Sequence, residues 1–122
     1  MLSHLSLGVW DLDRAAEFYD AALGALGYVR LWTGQQGLGY GPPGGGEQLN
    51  LFLHPDARPA GPGFHLAFAA SAPAEVARFH AAALAQGGID HGAPGPRPHY
   101  GANYYAAFVA DPDGHRLEAV YQ

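Results

Sequence analysis

The sequence has no cysteine, which removes disulfides, thiolate metal ligands and thiol nucleophiles at once. It is also poor in positive charge. Six Lys and Arg against eleven Asp and Glu leave a formal charge of −5, so the clustered cations that a nucleic-acid backbone or an anionic membrane surface requires are missing. No apolar run approaches the roughly 18 residues that span a bilayer. The N-terminal MLSHLSLGVWDLD has neither a basic start nor a continuous apolar core, so a soluble, cytoplasmic protein with no nucleic-acid and no membrane partner is expected. Serine occurs only at Ser3, Ser6 and Ser71, and GK[ST], HExxH and GxSxG are all absent, which leaves a serine triad, a phosphate loop and a zincin without support. Gly39 to Gly44 matches G-x-G-x-x-G, but Pro42 and Pro43 stand where the phosphate-binding helix would begin, so the match reads as a coincidence.

What the chain does have is an internal repeat. At 122 residues it fits one domain, residues 1–122, able to bury about two-thirds of its unfolded surface. HLSLGVWDLDRAAEFYDAALGALGY (4–28) lies without a gap on HLAFAASAPAEVARFHAAALAQGGI (65–89), with His4/His65, Leu5/Leu66, Phe18/Phe79 and Leu23/Leu84 among the identities. Each copy opens with strand-like alternation, Leu5, Leu7, Val9 and Leu66, Phe68, Ala70, and puts its histidine on the other face. Helices start at Asp11 and at Ser71 with Pro73, bury Ala15, Phe18, Ala22 and Leu26 or Val76, Phe79 and Ala83, and stop at Gly27 and Gly87-Gly88. Strand-like pieces follow: YVRLWT, LGYG and QLNLFL, then NYYAAFVA and HRLEAVY. Residues 34–46 and 91–103, rich in Gly and Pro, read as loops. The expected class is α+β, a βα unit with two or three further strands, written twice as module 1 (about 1–56) and module 2 (about 62–122).

Strand parity then selects a site. His4 shares its face with Ser6 and Gly8, and His65 with Ala67 and Ala69. A turn at Asp111-Pro112-Asp113-Gly114 that pairs Ala110 with His115 sets Glu118 opposite Ala107 and Tyr105 opposite Val120. If both sheets curve around one cleft, His4, His65 and Glu118 converge in a space kept open by small residues, a ligand set for a divalent metal ion such as Zn, Ni, Mn or Fe(II). Taken singly, a His at a strand start is more often a surface or hydrogen-bonded core residue than a ligand, and a Glu on a strand near a terminus usually faces solvent; it is their joint placement that points to a metal. His54, His80, His91 and His115 read as ordinary surface residues. The loop carrying Arg97, His99, Tyr100 and Asn103 leads into the strand beside Glu118 and offers substrate contacts. There Tyr105 and His99 are candidate catalytic groups with Glu118, the alternative being that they only pack. Asn50, Phe52 and Trp10 complete the expected lining.

These stretches, with FHLAFAA, RPHYGANYYAAF and DPDGHRLEAV, resemble the vicinal oxygen chelate superfamily of glyoxalases, bleomycin-resistance proteins and extradiol dioxygenases, over most of the chain except residues 29–63. The resemblance implies two paired βαβββ modules and a metal held by His4, His65 and Glu118. Glyoxalases of this group take a fourth ligand from the last strand of module 1, where this chain has EQLNLFL and only Glu47, at its edge, is a carboxylate. The His, His, Glu set is similar to the iron site of the dioxygenases. The implied function is a metal-dependent lyase, isomerase or ring-cleaving dioxygenase gripping two vicinal oxygens of a small organic substrate. The alternative is a non-enzymatic module that sequesters its ligand against Trp10, Phe52 and Tyr105. A homodimer is expected, with module pairing either within one chain or across the two-fold.

Overall fold

The computed structural model describes residues 1–122 as eight strands and two helices in the order β1(Leu5–Val9), α1(Leu12–Gly24), β2(Val29–Thr33), β3(Gly37–Gly41), β4(Leu49–Leu53), β5(Leu66–Ala69), α2(Pro73–Ala85), β6(Ile89–Pro96), β7(Tyr105–Ala110) and β8(Arg116–Tyr121). The strands form two four-stranded sheets, β1-β4-β3-β2 and β5-β8-β7-β6. In each, the first strand runs parallel to the last and the remaining pairs are antiparallel. The expected βαβββ unit is therefore present twice, and the class is α+β. No helix is long and apolar enough to cross a membrane.

Local chemistry accounts for the element boundaries. Asp11 caps α1 by accepting the Arg14 amide at 3.1 Å. At α2 the side-chain cap is absent; Pro73 opens the first turn, and Glu75 reaches back to accept the Ser71 amide at 2.7 Å. That is half of a capping box. Gly27 and Gly87, at φ +86° and +90°, follow the helices where a left-handed residue is required. Where LGYG read as a strand inside a segment, 34–46, that read as a loop, the strand reading holds, since Gly37–Gly41 is an interior strand. The loop expected from residue 91 is corrected as far as Pro96, because IDHGAPGP forms β6. β6 escapes the expectation because it is a sheet edge with two register shifts against β7, the setting in which proline is tolerated.

The alternation fixes which faces are buried. Leu7, Val9, Leu49 and Leu51 from one sheet, and Leu66, Val109, Leu117 and Ala119 from the other, join Phe18, Phe79 and both helices in a single cluster of 20 buried residues. Phe18 and Phe79 are fully buried, and truncating either to alanine is worth about 3–5 kcal/mol. Both sheets turn their other faces away from this core.

A buried polar latch holds the modules in register. The β7–β8 turn places Asp111, Asp113 and His115 against module 1. Tyr19 donates to Asp111 Oδ2 at 2.6 Å and Arg14 to Asp113 Oδ1 at 2.7 Å. The Trp10 amide reaches the same Asp113 oxygen, and His115 Nε2 donates to the Gly8 carbonyl at 2.7 Å. His115 is thus 5% exposed and is not the surface residue expected; it satisfies the free edge of β1. Burial, ahead of the neighbouring Asp111 charge, raises the Tyr19 phenol well above its ordinary value, and burial also raises the Asp111 carboxyl despite the donors around it.

These shifts give a signed prediction for Tyr19→Phe. Losing one donor to a buried carboxylate costs about 1–3 kcal/mol of stability at neutral pH. The hydroxyl serves the ionised form, so its removal raises the folded-state pKa of Asp111 further above the unfolded value of 3.8. A raised folded pKa confers stability that is present below the unfolded value and is lost as pH rises through the folded one. Urea unfolding across pH should therefore show the deficit of Tyr19→Phe shrinking as pH falls toward 4; a deficit independent of pH would dissociate Tyr19 from the Asp111 charge.

Candidate functional site

Glu118 is the most deeply buried charge on the face turned away from the core. It sits on β8, flanked by β5 and β7, in register with Ala67 and Phe108, and is 1% exposed. His65, just before β5, brings Nε2 to 2.8 Å from Glu118 Oε1. Tyr104, just before β7, donates its hydroxyl to Glu118 Oε2 at 2.5 Å. Burial, then the hydrogen bond to Glu118, pushes the Tyr104 phenol up to about 12. No arginine or lysine pairs with this carboxylate. Phe108, whose ring centroid is 6.2 Å from that of His65, walls the pair.

The hairpin register differs from the one expected by a single residue. Ala110 pairs with Arg116, Phe108 with Glu118 and Tyr105 with Tyr121. The cause lies in the turn: Asp111 Oδ1 accepts both the Asp113 and His115 amides, the Asp111 amide bonds His115 O, and Gly114 takes φ +92°. This is a three-residue loop ending in a left-handed glycine rather than a four-residue one. Because side chains alternate, a one-residue slip exchanges faces. Tyr105 therefore packs against the core, Phe108 rather than Ala107 stands across from Glu118, and Tyr104 occupies the position assigned to Tyr105.

The remaining candidates divide. Arg97 donates to the carbonyls of Gly95, Pro96 and Ala93 and lies 5.5 Å from the Phe108 ring centre, so it braces its loop. His99, Tyr100 and Tyr104 form an aromatic run with centroids 4.1 and 5.3 Å apart that leads to Glu118. Asn103 is exposed in the same loop. In module 1, Asn50 and Phe52 lie on the face away from the core as expected; Asn50 Oδ1 accepts from Trp32 Nε1 at 3.1 Å. Trp10, 46% exposed, donates to the Ala57 carbonyl. Sequence reasoning missed Tyr104 and Trp32; the first followed from the register, and the second was signalled by the small residues of LGYG.

His4 lies apart from the His65–Glu118 pair. It is exposed, its Nδ1 3.0 Å from Ser3 Oγ, and borders a cavity of about 320 Å³ at the seam between modules lined also by Tyr28, Tyr40, Leu66 and Phe68. Within one chain no three His, Asp or Glu side chains meet in a metal-holding group. Glu47, the fourth-ligand candidate, is exposed. His80 is paired with Asp90 at 2.9 Å. An imidazole nitrogen and a carboxylate oxygen are donor types that a divalent cation takes, and here they stand at hydrogen-bond distance, 2.8 Å.

Residues 1–119 match the Glyoxalase/Bleomycin resistance protein/Dioxygenase superfamily. Among solved structures, a glyoxalase/bleomycin resistance protein from Albidiferax ferrireducens is 35% identical with a TM-score of 0.87, over 100% of this chain and 99% of that one. A glyoxalase-related enzyme from Fulvimarina pelagi is 26% identical with a TM-score of 0.78, over 100% and 88%. The fosfomycin resistance protein FosX from Listeria monocytogenes shares the fold at 18% identity, with a TM-score of 0.71 over 98% and 91%. No curated protein matches.

The Tyr104–Glu118 bond is testable by spectrophotometric titration of the phenols. With Glu118→Gln, the phenol that titrates at about 12 should move part of the way back toward 10, since burial remains after the charge is gone. Tyr104→Phe identifies the signal by removing it. An unchanged high phenol in Glu118→Gln would mean that burial alone is responsible.

Proposed function

Because the chain belongs to the Glyoxalase/Bleomycin resistance protein/Dioxygenase superfamily, we propose that it is a metal-dependent enzyme acting on a small organic substrate through two vicinal oxygens. Its ion would be held by His65 and Glu118 of one copy together with His4 of a second copy in a homodimer. The carrying observation is Glu118: a carboxylate 1% exposed on a non-core sheet face, bonded by an imidazole and a phenol but paired with no permanent cation. An isolated buried anion is costly, and a divalent ion compensates it. When bound, the ion would supply Lewis-acid polarisation of the substrate oxygens.

The residues of the chain have separable roles in this reading. Glu118 is held on β8 by the sheet register and His65 stands immediately before β5, the strand that pairs with β8, which brings the two donors together. Tyr104 fixes Glu118 Oε2 and leaves Oε1 toward His65, so the carboxylate orientation is set in advance. Phe108 walls one side of the His65–Glu118 pair. A cross-chain site is supported by the common core, which occupies the inner faces of both modules, and by the separation of His4 from the other two ligands. Such pairing is a standard use of two-fold symmetry. The expected location is the cytoplasm.

A second reading, sequestration of a ligand without turnover, is favoured by the exposed aromatic side chains Trp10, Phe52 and Tyr100. It requires no metal for binding.

Elemental analysis of untagged protein tests the first reading. His65→Ala and Glu118→Ala should each lower metal affinity by at least about ten-fold, as should His4→Ala. Mixing His4→Ala with Glu118→Ala subunits should restore metal to about a quarter of the sites, because a mixed two-fold dimer keeps one complete set and loses the other. Full occupancy in the single variants would remove the metal reading, and absence of restoration on mixing would remove the cross-chain one.

A further inference from the structure

Trp32 is an aromatic residue that the proposed metal chemistry leaves unused, and its setting is specific. It lies over β3, where a Cβ at Gly39 would stand 1.9 Å from Trp32 Nε1 and one at Gly37 would stand 2.8 Å from the far edge of the ring. The indole thus rests on bare backbone, in space that only glycine leaves free. Glycine inside a strand costs stability and marks a close approach, and here the approach is by the protein's own ring. The indole N–H is taken by Asn50 Oδ1 at 3.1 Å, and Asn50 is itself 6% exposed. Its polar end satisfied, Trp32 has an aromatic face left to offer. Phe52 extends that face, its centroid 6.0 Å away at an interplanar angle of 43° and its side chain 40% exposed. The positions of β1, β3 and β4 on this side carry no charged residue.

We propose that Trp32 and Phe52 form a pre-set stacking platform for an uncharged, planar aromatic ring of the ligand. A pinned indole loses little side-chain freedom on binding, which is the condition under which stacking yields affinity. A charged or saturated ligand finds no matching group there. The inference rests on the reading that this sheet face bounds the ligand cleft. It does not rest on the metal.

The test uses the whole chain stripped of metal by a chelator, followed by NMR of the Trp32 indole N–H, whose resonance is identified by its loss in Trp32→Leu. Titration with 2,3-dihydroxynaphthalene, neutral and planar, should shift that resonance to saturation, whereas saturated 1,2-cyclohexanediol should leave it in place. Trp32→Leu, and Gly39→Ala, whose methyl displaces the indole, should each weaken naphthalenediol binding by at least about ten-fold, with amide spectra confirming that both variants are folded. Equal binding of the saturated diol, unchanged affinity in both variants, or no response of Trp32 would overturn the proposal. Because metal is absent throughout, these outcomes are independent of those that decide the metal reading.

Discussion

Everything about this molecule follows from two helices sharing one core. Each βαβββ module has a single apolar sheet face, and both faces are spent on the cluster that contains Phe18, Phe79 and Tyr19. The opposite sheet faces carry the polar side chains Asn50 and Glu118. The Asp111, Asp113, His115, Tyr19 and Arg14 latch converts this packing from a hydrophobic association into a fixed register. It binds the last turn of module 2 to the first strand and helix of module 1. Such a network specifies geometry more than it adds net stability, since desolvation of Asp111 offsets much of what its bonds contribute.

The parts of the fold legible in sequence are those governed by periodicity. Leu5, Leu7 and Val9 against His4, Ser6 and Gly8 predict the sheet faces, and Ala15, Phe18 and Ala22 predict the buried stripe of α1, because burial alone sets those patterns. The hairpin register was not legible in the same way. DPDG admits both a four-residue and a three-residue loop, and the choice is made by the Asp111 side chain capping two amides while Gly114 turns left-handed. That one step decides whether Tyr104 or Tyr105 meets Glu118. His115 was likewise opaque: its burial depends on the Gly8 carbonyl, 107 residues away in sequence.

Composition misled most where glycine and proline had reasons other than turns. In GLGYG the glycines are needed inside a strand, because Trp32 lies on Gly37 and Gly39 and the backbone at Gly46 crowds Gly41. In IDHGAPGP the prolines are accommodated by an edge strand that slips register twice. A rule that equates such segments with loops fails wherever another group approaches the backbone or one side of the strand has no partner. Both conditions are tertiary, and local sequence carries at most the small residues that permit them.

The site itself is ordered by a difference between its two carboxylate oxygens. Glu118 Oε2 is held by a phenol that stays protonated across the physiological range, so that bond persists whatever else changes. Oε1 faces an imidazole, a group that can donate a proton, accept one or bind an ion. The arrangement leaves one oxygen structural and the other exchangeable, and places the exchangeable one on the axis to His65. A surface carboxylate would gain nothing from that division, since water would serve both oxygens equally. Burial on a strand between two neighbours gives it consequence: any partner that approaches Oε1 meets a carboxylate already oriented by Tyr104 and already shielded from water.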